Sequence, residues 1–74
     1  MSNVPLLSED EKIVCRANAL AREFYGMLGC QVAEGYSFDR AKHPQEVACW
    51  RMACRAYEVI NGTDVEDALS RLED

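Results

Sequence analysis

The chain has 74 residues, 49% of them hydrophobic, with a formal net charge of −5 and an isoelectric point near 4.7. One domain is the upper bound, close to the size where a single core barely offsets chain entropy. It is too hydrophobic for a disordered chain and too acidic for a general nucleic-acid binder. No apolar run approaches the ~20 residues that span a bilayer. The start, MSNVPLLSEDEK, has neither the basic region nor the long apolar stretch of a secretory signal, so a cytoplasmic domain with frayed termini is expected.

The first element is announced by Ser8-Glu9-Asp10-Glu11, which reads as a capping box with acid at the positive end of the helix dipole. At about 100° per residue, Ile13, Val14, Ala17, Leu20, Ala21, Phe24, Tyr25 and Leu28 fall within an arc of roughly 140°. This predicts an amphipathic helix over 9–28, with Gly29 as a left-handed C-cap. Cys30 to His43 follows no helical period. A connection of ~14 residues is long for a compact domain, and such segments are commonly functional. Ser37 or Asp39 is placed to cap one short turn, and Tyr36 and Phe38 are too apolar to be left in water.

His43-Pro44 starts the second helix, proline suiting the first helical position. Over 44–60 the apolar residues cover about 260° of the wheel, leaving Arg51, Arg55 and Glu58 on a narrow stripe. That pattern describes a central helix, or one with a face turned to another chain. Asn61-Gly62 closes it. Thr63-Asp64-Val65-Glu66 reads as a second capping box, and Val65, Ala68, Leu69 and Leu72 line one face of a short helix over 64–72. The expected fold is all-α: a small three-helix domain with a central, nearly all-apolar second helix and a long loop between helices one and two. Its expected core is Ile13, Val14, Ala17, Leu20, Phe24, Leu28, Val47, Trp50, Ala53, Cys54, Tyr57, Ile60, Val65 and Leu69.

The four cysteines, in a chain expected to stay in a reducing compartment, read as packed thiols rather than disulfides. Zinc needs four ligands, usually with a close Cys pair. Cys49 and Cys54 point about 140° apart on a helix, so no metal or other cofactor is expected. The single histidine, His43, lies near Asp39, but no nucleophile motif accompanies them and no catalytic residue is assigned. Gly26-Met27-Leu28-Gly29 has the form of a nucleic-acid-binding loop but lacks basic neighbours, and the acidic third helix would repel phosphate.

Charge is unevenly placed: residues 12–57 carry seven basic and four acidic groups inside an acidic chain. The stretch GYSFDRAKHPQEVACWRMACRAY also holds the only His and the only Trp. A protein-binding surface is therefore expected at Tyr36, Phe38, Asp39 and His43, with Arg51 and Arg55 at its rim, since aromatic and arginine side chains anchor interfaces. The competing expectation is that Tyr36 and Phe38 plug the domain's own core. Arg55 also has Glu58 three residues away as a partner. The apolar surplus of the second helix suggests a homodimer. The functional alternatives are a structural or regulatory dimer with weak nucleic-acid contact and a small metal protein or enzyme.

The run GYSFDRAKHPQEVACWRMACRAYEVINGTDVEDAL has an aromatic pair before an acidic residue, a His-Pro helix start and a Gly-Thr-Asp turn. In these features it resembles small uncharacterised proteins of tailed phages and prophages, over about half of the chain. The resemblance implies a cytoplasmic accessory protein that binds a host or phage protein, and it carries no site residues.

Overall fold

The computed structural model describes residues 8–33 and 35–73; the fraying expected at residues 1–7 lies outside them. Three α-helices and one 3-10 turn make up the regular structure: α1 (Glu9–Met27), the turn Phe38–Arg40, α2 (Pro44–Asn61) and α3 (Val65–Glu73). Among the described residues there is no strand. The fold is all-α.

Local chemistry accounts for the boundaries. The Ser8 hydroxyl accepts the Glu11 N–H at 3.2 Å and the Glu11 carboxylate accepts the Ser8 N–H at 3.1 Å, so two amides without helical partners are satisfied at the α1 start. At its other end Gly29 takes φ +83°. The Cys30 N–H then returns to the Tyr25 carbonyl at 3.2 Å and the Gly29 N–H to that of Gly26 at 3.0 Å, closing the helix with a Schellman pair. Gly62, at φ +70°, ends α2 through a 2.7 Å bond to the Glu58 carbonyl. At the α3 start Asp64 replaces the expected Thr63 as the cap, accepting the Glu66 N–H at 2.9 Å. The Glu66 carboxylate does not reach back to close a box; it accepts the Trp50 indole N–H at 3.3 Å.

The helix at the centre is α1, not α2 as the apolar wheel suggests. Both other helices pack mainly on α1, and α2 and α3 meet each other less. The reason lies in the residue sizes along its inner face. Ala17 and Ala21 are fully buried on α1 and let neighbouring helices approach closely, while Val14 and Tyr25 fill the space above and below them. From α2 the core receives Cys49, Trp50, Ala53 and Tyr57, and from α3 it receives Val65 and Ala68. Ile13, Leu20, Phe24, Cys54 and Leu69 pack partly buried around this cluster, and Val47 is half-buried. Two residues expected inside are not there: Leu28 is 58% exposed and Ile60 76%. Leu28 is the C-cap of α1 and Ile60 lies in the last turn of α2, both at helix ends.

An arginine clip ties α3 to α1. Arg71 Nη2 lies 2.8 Å and Nε 3.0 Å from the Asp10 carboxylate. This two-pronged hydrogen bond holds the Asp10 carboxyl below its ordinary range.

Candidate functional site

The segment between α1 and α2 is exposed or half-buried at every described position except one. Phe38 is 1% exposed, the largest fully buried side chain among the described residues. Its ring meets Tyr25 edge-on at 5.7 Å between centroids and Tyr36 at 5.1 Å, the arrangement in which one ring's positive edge faces another's negative face. Phe38 therefore packs in the core and leaves almost no surface of its own.

A side chain of α1 that the sequence does not single out holds this turn in place. Asn18 accepts the Phe38 N–H at 2.6 Å through Oδ1, while its Nδ2 donates to the Val14 carbonyl at 3.2 Å and lies 3.4 Å from Asp39 Oδ1. The amide thus supplies both the acceptor that caps the 3-10 turn and a donor to the next side chain. Ser37, the residue at the cap position, makes no side-chain cap bond. Arg22 adds a second tether, donating from Nη2 to the Ala33 carbonyl at 3.2 Å.

Tyr36 is half-buried, and its hydroxyl donates to Glu46 on α2. The Tyr25 hydroxyl lies 3.3 Å from the other oxygen of the same carboxylate. Two phenols from different elements thus converge on one acid. The Glu46 hydrogen bond, with burial, raises the Tyr36 pKa; burial first, then the nearby Cys30 and Glu46, raises that of Tyr25. Asp39 is half-buried beside Asn18, with Arg40 Nε at 4.0 Å. His43 is exposed and caps α2, its Nδ1 accepting the Gln45 N–H at 3.3 Å.

Arg51 and Arg55 lie apart from that cluster, on the outward face of α2. Arg55 Nη1 pairs with Glu58 at 2.8 Å, and among the described residues Arg51 has no ion pair. The two arginines border a shallow groove of about 550 Å³ completed by Met52, Ala56, Val59 and Ile60. Met52 is 49% exposed and Val59 68%, so this stripe of α2 is apolar and open. The candidate site therefore divides. Tyr36, Phe38 and Asp39 close the interior, His43 caps a helix, and only the two arginines remain beside an exposed apolar surface.

The groove residues belong to the apolar surplus visible on the helical wheel, and of them only Ile60 is in the expected core. Positions 52, 56 and 59 form one stripe of α2, and 49, 53 and 57 the stripe beside it. Both stripes are apolar, so periodicity alone does not say which one meets α1.

All four cysteines are free. Burial pushes the Cys49 thiol up, and burial together with Glu66, Asp64 and Asp39 pushes Cys54 up to about 12. Both are held protonated at neutral pH, the unreactive form of a thiol. Among the described residues no group of three or more His, Cys, Asp or Glu side chains is placed to hold a metal ion. None of the helices, over the same residues, is long and apolar enough to cross a membrane. Compared with family models, curated proteins and solved structures, the chain matches none of them.

Proposed function

We propose that this chain is a non-enzymatic protein-binding module whose contact face is the apolar groove of α2. The partner class is the host or phage protein suggested by the sequence resemblance. The observation that carries the reading is the exposure of Met52, Val59 and Ile60 along one helix, next to two arginines. Exposed apolar patches bordered by polar groups are where proteins meet partners. The non-enzymatic reading is supported by the chemistry of the would-be catalytic groups: His43 is engaged as a helix cap, and Cys49 and Cys54 are protonated.

The test is affinity capture from a host cell with wild-type protein and with Val59→Asp, retained proteins being identified by mass spectrometry. A partner held by the wild type and lost by the variant is the expected result. Equal retention by both would move the contact face elsewhere. A second reading, a symmetric dimer through the outward face of α2, draws on the same exposure. Sedimentation at high micromolar concentration separates it, since a strict monomer excludes it.

A further inference from the structure

Resting on the protein-binding reading above, we infer that the α2 groove receives one short amphipathic helix whose apolar stripe is flanked by carboxylates, and not a second copy of this chain. The size of the groove is the first argument. Met52 to Ile60 spans nine residues, on the order of 12 Å of helix, or about two turns. Four apolar side chains over that length offer far less than the roughly 800 Å² per partner of a standard interface between folded proteins. They suit a helix laid along the groove, which reaches it with residues spaced i, i+4 and i+7.

Charge supplies the second argument. Arg51 and Arg55 are one turn apart on the same edge of the groove, both exposed. Two guanidiniums so spaced meet two carboxylates one turn apart on a helix lying alongside, and charge-assisted contacts of this kind are the stronger hydrogen bonds. Arg51 has no competing ion pair among the described residues. Arg55 is engaged by Glu58, but both side chains of that pair are well exposed, and exchanging an exposed pair costs little.

The same arginines disfavour self-pairing. An antiparallel pair of α2 helices that sets Met52 against the Val59 of a second copy has its two-fold axis between Arg55 and Ala56. Both Arg55 side chains then converge on the axis, with the Arg51 pair on the same interface. Like charges are brought together in that contact, and the partner that relieves them is acidic.

Two synthetic peptides of about 18 residues, long enough to form a helix, provide the probe. Both carry leucine at i, i+4, i+7 and i+11; one has glutamate at the flanking positions and the other lysine. Each is titrated into isotope-labelled full-length protein and followed by amide chemical shifts. The glutamate peptide should shift Met52, Ala56, Val59 and Ile60, and the double variant Arg51→Glu, Arg55→Glu should bind it about tenfold more weakly or worse. If the lysine peptide binds equally well, or the double variant binds the glutamate peptide as tightly as wild type, the acidic preference is wrong while groove docking survives. If neither peptide shifts those amides, both this inference and the docking reading of the groove fall. A wild-type dimer that Val59→Asp converts to monomer assigns the groove to a second copy and likewise overturns the inference.

Discussion

Replacing Phe38 by alanine tests whether the connection between α1 and α2 is part of the core. The ring is 1% exposed and packs edge-on with two tyrosines. Burial of this kind places Phe→Ala at about 3–5 kcal/mol, transfer and cavity together. The neighbouring backbone is a connection that can partly collapse into the space, which favours the lower end, about 3 kcal/mol. A domain of this length has only ~4–11 kcal/mol of stability in all. The melting temperature should therefore fall by more than about 12 °C, taking ~4–8 °C per kcal/mol for a domain this small. Thermal unfolding followed by far-ultraviolet circular dichroism reads the shift. Should the variant be too unstable to purify, Phe38→Leu, which keeps most of the volume, should cost about 1 kcal/mol and remain measurable. A shift for Phe38→Ala of less than about 3 °C would mean that the ring does not sit inside the domain in solution, and the argument above would be wrong.

Asn18→Ala should cost about 1–3 kcal/mol in denaturant unfolding, because it leaves the Phe38 N–H without its acceptor; a loss under 0.5 kcal/mol, taken as about the size of an ordinary surface substitution, would deny Asn18 its pinning role. Arg51→Glu with Arg55→Glu should stay within about 0.5 kcal/mol of wild type in the same assay, since both side chains are exposed; a larger loss would show that they support the fold. Cys54, with a pKa raised from 9.0 to about 12, binds its proton more tightly folded than unfolded. Its contribution is complete below about pH 9 and is lost as the pH rises toward 12, so stability should decline between about pH 9 and 12, and Cys54→Ala should flatten that decline. Under a thiol reagent at neutral pH, exposed Cys15 should react first and buried Cys49 last; the reverse order would contradict the packing.

Helix ends were legible because their signals are local. Ser8 with Glu11, Pro44 after His43, and the glycines at 29 and 62 each act through a backbone geometry that only a few residue types provide. The order of packing was not legible, because it depends on comparing surfaces. α2 carries two apolar stripes, and the buried one holds Cys49 and Ala53 in the same cluster as Ala17 and Ala21 of α1, a choice no wheel shows. Leu28 and Ile60 have the right period for the core but stand exposed at helix ends. At Thr63 the shorter-range Asp64 carboxylate took the cap, and Trp50 took Glu66. For the candidate site, the competition between core plug and interface at Phe38 was visible in advance. Its outcome hung on Asn18, whose role needs a partner twenty residues away in sequence.

The pinning of Phe38 by a side chain has a consequence for how the domain opens. Amides in connecting segments usually exchange with solvent fast, because nothing but local fluctuation protects them. The Phe38 amide is bonded to α1, and its own ring lies in the interior, so freeing it requires withdrawing that ring from between Tyr25 and Tyr36. That event breaches the core rather than a surface loop. Exchange at Phe38 should then track global unfolding, as slowly as the middle of α1, making this short crossing part of the last unit of the protein to open.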